Sequence, residues 1–477
     1  GKIIQAENED VLVEKSYAPN GHPSAITVTH QGQSYTLGYE YDAMGRRTAL
    51  IDPQGERTTY GYDADGRLTR ITAPGGDETT FAYDARDRLI RRTDPSGVVL
   101  TLVYNDWDLP TEIRYEKDAD VLFQQSITYD ADGHPIHVDE MGEATGTLTQ
   151  TARYDPLGRL LHAQTSDGRE WTYTYDARGN RRSLSTEQDV ITYTYDAADQ
   201  LRATSLEKFT HDARGNLISR TATAADTLTR AYTWNAYNRL VAAEQAAGES
   251  TITHYPHGLP LSHTTPDGSA ILHLYDGDAP LLDIDAASGE VLARYLQHPQ
   301  VAGGRAWQAM QRTDAAYTYV TDHEGSVRAL IDANGDVAAY YRYAPFGDLL
   351  EHTENDVENP LRYQGRRWQD DLALYEEGER YYDPTLGRYI GRDEEPGALP
   401  DFEAPNPYVP EPRWPIAAFD PMRPHCFDHL RAQAQSGPDL NARPGAWLAA
   451  YLPPAQAIGY DEAAAQTTLA SEDLVAP

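Results

Sequence analysis

The apolar positions of this chain fall into short alternating runs, not helical stripes. Trp171-Thr172-Tyr173-Thr174-Tyr175 and Ile191-Thr192-Tyr193-Thr194-Tyr195 place an aromatic or branched residue at every second position. Period two sends alternate side chains to opposite faces of a strand, and these residue types fit a pleated surface. The runs also recur at a set interval. Ten times between Tyr41 and Leu240 an aromatic is followed by Asp or Asn, two variable residues and a turn former. The leading aromatics stand at Tyr41, Tyr62, Tyr83 and Tyr104, 21 residues apart, then at Tyr129, Tyr154, Tyr175, Tyr195, His211 and Trp234. A fixed period of this size marks an array of like supersecondary units.

Four residues after each aromatic come Gly45, Gly66, Asp87, Asp108, Gly133, Gly158, Gly179, Asp199, Gly215 and Asn238. Only residues that tolerate positive φ occur there, so the position is predicted to be the left-handed corner of a tight turn. A further polar-apolar alternation follows, then a second turn such as Asp52-Pro53-Gln54-Gly55 or Asp94-Pro95-Ser96-Gly97. One repeat therefore reads as strand, turn, strand, turn: a hairpin. Successive hairpins are expected to join laterally, with their tyrosines stacked as cross-strand ladders. The predicted fold is all-β, one long antiparallel sheet whose strand twist makes it coil.

Charge and composition narrow the function. Forty basic residues stand against 74 acidic ones, a net charge of −34. So acidic a surface repels phosphate backbones and anionic lipid heads, which argues against nucleic-acid or membrane-surface partners. Thirty-three tyrosines against seven phenylalanines suit aromatics that keep one end wet. Cys426 is the single cysteine, so no intrachain disulfide supports the fold. No apolar run reaches the ~18 residues of a membrane span. Gly1 in place of Met, with no signal sequence, reads as a piece whose N-terminus is missing. No cofactor and no metal site are expected.

The repeated phrase resembles the YD repeats of the Rhs family, shared by bacterial Rhs toxins, insecticidal toxin-complex C components and animal teneurins. Looser copies continue at Tyr255, Tyr275 and Tyr295. A block similar to the Rhs-associated core follows: Tyr319-Val320-Thr321-Asp322-His323-Glu324-Gly325-Ser326-Val327-Arg328-Ala329-Leu330, Tyr343-Ala344-Pro345-Phe346-Gly347-Asp348, Asn359-Pro360-Leu361-Arg362-Tyr363-Gln364-Gly365, and Arg380-Tyr381-Tyr382-Asp383 through Ile390. The resemblance extends over residues 1–424. It implies a YD-repeat β-shell over 1–300, hollow and spiralling or part of one, then the Rhs-associated core and a C-terminal plug over 301–424. A variable tail over 425–477 is a toxin remnant or a connector. The implied role is the shell of a secreted polymorphic toxin used in interbacterial competition, enclosing the chain's own C-terminal cargo segment. Its implied partners are that cargo, a secretion or delivery machinery and an immunity protein, and its implied location is secreted or cell-surface. The alternative is a cell-surface adhesion or carbohydrate-binding YD scaffold without cargo. Choline- and glucan-binding arrays also repeat aromatics at about this period, but they carry paired tryptophans with glycine, whereas here the partner is Asp with Arg-Leu beyond the turn.

The resemblance further implies self-cleavage. Family members cut themselves after Asp-Pro-x-Gly-Leu through two aspartates acting as an aspartic protease. Here Arg392-Asp393 occupies the first motif and Phe419-Asp420-Pro421 the second. Two close carboxylates cannot both ionise, so one keeps a proton and polarises the scissile carbonyl while the other activates water. Asp393 and Asp420 share those roles, with Arg392 holding a carboxylate ionised. This chain departs from the pattern: the first motif continues Glu394-Glu395-Pro396-Gly397, the stretch to Asn406 is longer, and the second ends Met422-Arg423-Pro424. The scissile bond then follows Pro424, whose ring constrains the approach, and Arg423 stands where a glycine gives a tight bend. The plain reading makes both aspartates turn or capping residues.

The tail carries His425, Cys426, Asp428 and His429, with a short helix expected around Phe427 to Gln435. His425 and His429 at i and i+4 fit one side of a metal, and a Cys with His and Asp fits a nucleophile set. A polar connector is the plainer reading, since 53 residues are few for an enzymatic toxin. His22 and His30 read as surface or turn positions, and Trp171 and Trp234 as strand packing.

Overall fold

The computed structural model describes residues 5–142, 146–298, 307–313, 315–354, 357–392 and 406–410, all within one compact unit, Gly1–Pro424. Asp393, Asp420, Pro424, His425, Cys426, Asp428 and His429 lie outside the described residues.

The turn is where the repeat is made. All ten predicted corners have positive φ, from 55° at Asn238 to 97° at Gly215. In the first copy, Asp42 N–H donates to the Arg46 carbonyl (2.9 Å) and Gly45 N–H to the Asp42 carbonyl (3.0 Å). The Asp42 side chain does the rest: Oδ1 accepts from the N–H groups of Met44 and Arg46 (2.9 Å each), and Oδ2 from Arg46 Nε (2.7 Å). This explains the Asp or Asn after the aromatic, since a short acceptor bonds its own turn. The aromatic itself sits at a bulge, as Tyr41 pairs with Arg47, Tyr62 with Leu68 and Tyr83 with Leu89 after a register shift. The second-edge turns follow the same scheme, with Gly55 at φ 84° donating to the Asp52 carbonyl.

Neighbouring repeats are latched through the phenol. Tyr62 Oη donates to the Arg47 carbonyl (2.8 Å), Tyr83 to Leu68 (2.7 Å), Tyr104 to Leu89 (2.7 Å) and Tyr175 to Leu160 (2.9 Å). The expected tyrosine-on-tyrosine ladder is replaced by alternation with cations. Arg46 lies over the Tyr62 ring, Arg67 over Tyr83, Arg88 over Tyr104 and Arg159 over Tyr175, at 4.8–5.4 Å. His134 takes that place on Tyr154, stacked at 4.7 Å. The 21-residue step puts the arginine that closes one turn beside the next aromatic, so a cation–π contact fills the gap. His22 stacks on Tyr41 in the same way (4.9 Å).

Each strand from Gln5–Glu7 to Leu349–Glu354 pairs antiparallel with the strands before and after it, giving a 33-stranded sheet. Pairing continues past residue 300: strand Val291–Gln297 pairs with Trp307–Gln311. Among the described residues the wall is shell-like but not closed, because Gln5–Glu7 pairs only with Val11–Tyr17 and Leu349–Glu354 only with Val337–Tyr343. The ribbon winds back on itself through its apolar face. Val13, Val28, Leu37 and Leu50 pack with Leu261, Leu274, Leu282 and Ile284. Further along, Leu100, Ile113, Phe123 and Ile127 pack with Val320, Ala329 and Ile331. Each fully buried side chain of this kind contributes roughly 1.5–3 kcal/mol, so these two seams hold an early arm of the ribbon against a late one.

A second, four-stranded sheet (Arg367–Gln369, Leu374–Glu377, Arg380–Asp383, Arg388–Tyr389) carries the end of the expected plug. Its Leu374, Tyr381 and Ile390 share a core with Tyr193, Leu201, Leu217, Tyr232 and Leu240 of the ribbon. Trp234 packs against that core and donates Nε1–H to the Leu217 carbonyl (2.7 Å), and Trp171 is buried beside Ala163 and Tyr173. Both tryptophans are strand packing.

Candidate functional site

Of the three residues expected to cut the chain, only Arg392 is described. It is exposed, and its side chain lies beside Gly215 at a ribbon turn. The strand leading to it is docked by backbone: Leu217 N–H donates to the Ile390 carbonyl (2.9 Å), and Ile390 N–H to that of Tyr381 (3.0 Å). Gly391 presses on the Trp234 ring, where a Cβ would come within 3.1 Å. Beyond residue 405 the chain returns to the same place. Tyr389 N–H donates to the Tyr408 carbonyl (2.8 Å), Tyr408 Oη to the Gly215 carbonyl (2.9 Å), and Asn406 Nδ2 to Asn180 Oδ1 (2.6 Å). Arg388 stands over the Tyr408 ring at 4.8 Å and Arg380 donates to the Pro407 carbonyl (2.8 Å). Asn406 and Tyr408 were not foreseen from the sequence, since neither falls in a repeat. His211, the degenerate ninth member of the aromatic series, meets Tyr408 edge-on at 6.3 Å. Burial, then the Arg388 and Arg202 charges, lower its pKa to about 4, and its buried Nδ1 has no hydrogen-bond partner among the described residues.

A second concentration of charge lies where the arms meet, and it is built from the core block. The turn Asp322–Ser326 repeats the YD scheme, Asp322 Oδ1 accepting from the N–H groups of Glu324 (3.0 Å) and Ser326 (2.9 Å). Arg328 reaches across to the early arm and pairs in bidentate fashion with Glu140, 2.7 Å on both branches, while Gln125 Nε2 also donates to Glu140 (3.2 Å). Gln125 Oε1 accepts from the His323 N–H (3.2 Å). Burial and then Arg328 lower the His323 pKa to about 4, leaving the ring neutral at ordinary pH. Burial raises Asp322 and Glu324, the latter to about 8 with Asp322 as the next cause.

The four-stranded sheet brings a third. Asp283 is fully buried and accepts from Arg367 (2.8 and 2.9 Å), Tyr295 Oη (2.5 Å) and His273 Nδ1 (2.7 Å). Burial alone would raise its pKa, but Arg367 and His273 outweigh it and hold the carboxyl well below the usual range. Nearby, Asp371 Oδ2 accepts from Ser250 Oγ (2.5 Å) and meets His263 Nε2 (2.7 Å). The serine touches the carboxylate, not the imidazole, so this is a tether and not a nucleophile–base pair. Asp130, Asp132 and His134 form the one grouping among the described residues whose ligand atoms all lie within 4.8 Å, on a part-exposed turn. No described residue belongs to a helix long and apolar enough to cross a membrane.

Comparison with known proteins follows the same lines. The family model described as Teneurin YD-shell matches residues 96–255 and 303–399, and that of the RHS Repeat matches 17–58, 48–80 and 62–99. The tRNA3(Ser)-specific nuclease WapA of Bacillus spizizenii is 27% identical over 281 residues, 56% of this chain and 11% of that protein. Double-stranded DNA deaminase toxin A of Burkholderia cenocepacia is 28% identical over 299 residues, 60% of this chain and 18% of that one. The crystal structure of TcdB2-TccC3 superposes with a TM-score of 0.65 at 16% identity, over 88% of this chain and 24% of that one, a likeness of fold. The chain thus spans less than a fifth of the length of these two curated relatives.

Proposed function

This chain belongs to the Teneurin YD-shell family, and from that premise we propose that it is part of an encapsulating toxin shell whose cargo is its own C-terminal segment. The observation that carries the reading is the winding of the ribbon: one continuous sheet returns on itself and seals early strands against late ones through buried apolar seams. A wall made this way is suited to separating two spaces, which a display scaffold does not require. Two relatives named as a tRNA nuclease and a DNA deaminase toxin match 56% and 60% of this chain within much longer chains. In this reading residues 1–300 are wall, 301–424 core and plug, and 425–477 the start of cargo or a connector to it. The shell is exported, to the cell surface or beyond, with a delivery machinery and an immunity protein as further partners. Asp393 and Asp420, with Arg392, cut the chain after Pro424. The clamp of Asn406 and Tyr408 supports this part, because it returns the chain to the ribbon turn that also holds Arg392.

Limited proteolysis tests enclosure. The tail beyond residue 424 resists trypsin in the folded protein and is digested after denaturation; a tail cut at once in the native protein removes the reading. The second reading, an adhesion scaffold, draws on Trp107 (59% exposed) and Tyr237 (72% exposed), which stand at turn tips as aromatic platforms. It predicts a freely digestible tail and sugar binding lost in Trp107→Ala.

A further inference from the structure

The junction of the two arms holds a cavity of about 80 Å³, lined among others by Gln125, Glu140 and Tyr154 of the early arm and by Asp322, Glu324 and Tyr363 of the late one. Most of its polar groups are accounted for. Glu140 is bound by Arg328 and Gln125, Asp322 caps its own turn, and Ser326 Oγ accepts from the Gln364 N–H (3.0 Å). Glu324 is the exception: among the described residues nothing hydrogen-bonds its carboxyl, which faces the cavity two residues from the Asp322 carboxylate. We propose that Glu324 is a proton-controlled latch, its neutral form closing the junction between the arms and its ionised form loosening it.

The groups that face Glu324 from each packed element support the assignment. From its own hairpin come Asp322, which opposes ionisation, and Arg328, which favours it but is engaged by Glu140. Arg366 is the second cation to favour ionisation; it stands just past the Tyr363–Gly365 turn and pairs with Glu377 (2.7 Å). His323 stays neutral and supplies no charge. The early arm contributes the Tyr129 and Tyr154 phenols, each pushed up chiefly by burial and next by Glu324 itself; Tyr363 of the late arm is raised in the same order. Among the described residues no free cation meets this half-buried carboxyl, so burial and the neighbouring carboxylate raise it from 4.5 to about 8. The sign follows. An acid with a raised pKa holds the closed state fully below the value of the opened form, and that advantage drains as pH climbs toward 8.

Native-state hydrogen exchange on the full chain, corrected for intrinsic rates, reads this at strands Pro135–Gly142 and Val327–Ile331. Local opening is expected to grow by up to about tenfold per pH unit between about 5 and 8, then level. Glu324→Gln is expected to stay folded with that slope abolished. A slope unchanged in the variant, or no slope in the wild type, overturns the latch. Should Glu324→Gln not fold, Asp322→Asn decides: removing the like charge moves the levelling point to lower pH, and an unmoved point overturns the proposal. Titration without a slope at these strands but elsewhere in the ribbon counts against it too.

Discussion

Glu140 is the residue whose loss the structure prices most clearly. Its side chain is 4% exposed and that of Arg328 8%, and the two share a bidentate pair at 2.7 Å across the seam between the arms. Replacing Glu140 with Ala strands a buried guanidinium and leaves Gln125 Nε2 without its acceptor. An uncompensated buried charge costs about 3–5 kcal/mol, and an unmet neutral donor adds about 1 kcal/mol. The opposing term is relaxation: Arg328 also donates Nε–H to the Tyr341 carbonyl (3.1 Å) and has Asp322 at 3.6 Å, so part of its charge stays satisfied. Glu140→Ala is therefore expected to destabilise the seam by about 3–4 kcal/mol. Arg328→Met combined with Glu140→Leu removes both charges and is expected to cost less than either single change. Because a repeat array unfolds in parts, the assay is native-state exchange at Pro135–Gly142 beside urea transitions followed by tryptophan fluorescence. A cost below about 1 kcal/mol for Glu140→Ala, or a double variant as weak as the sum of its parts, refutes the reasoning.

Four other outcomes are expected. Tyr62→Phe removes one phenol-to-carbonyl latch and lowers stability by about 1 kcal/mol, whereas Asp63→Ala removes two backbone caps and the Arg67 contact and lowers it further; a reversed order in denaturation midpoints contradicts the turn as the stronger element. Gly215→Ala, at φ 97° and with the Tyr408 hydroxyl where its Cβ would stand, frees the 406–410 segment to protease without unfolding the ribbon. The depressed Asp283 contributes stability above its ordinary value of 3.8 that is lost as pH falls below it; Asp283→Asn is expected to flatten that acid arm of a melting-temperature profile. Intact mass compares wild type with Asp420→Asn, the first cut after Pro424 and the second whole; equal uncut masses retire self-cleavage and leave the shell standing.

How much of this was legible depends on whether the information repeats. The turn corners and the all-β ribbon follow from residues seen ten times, so each copy corroborates the others. Asp199, in place of glycine at φ 61°, shows the rule surviving substitution. The latch from phenol to carbonyl was not legible, because it depends on which neighbour lies across the bulge, and the sequence suggested aromatic stacking where arginine intervenes. The polar seam was only half visible. His323 and Arg328 stand inside a recognisable block, but their partners Gln125 and Glu140 lie nearly two hundred residues away in a copy of the repeat with no other mark. Asn406 and Tyr408 carry no pattern at all, and only the returning chain reveals them.

That division explains why the charged pairs are where they are. A ribbon of like hairpins keeps its apolar face if it slides by one repeat, so hydrophobic packing alone cannot fix which strand of one arm meets which of the other. The joints between distant parts, however, carry buried polar contacts that occur once: Arg92 donates across to the Trp307 and Tyr319 carbonyls, Arg328 meets Glu140 between the arms, and Arg367 and Arg220 tie the four-stranded sheet and the ribbon together through Asp283 and Asp383. Such pairs add little net stability when made, yet a slipped register would bury each charge unmet at about 3–5 kcal/mol apiece. Three such pairs together outweigh the near-degeneracy of the repeats. Swapping the charges of one pair, as in Glu140→Arg with Arg328→Glu, is then expected to restore most of what either single reversal loses, and chains with all three pairs made apolar are expected to stay β-rich while protection at the joints spreads over several registers.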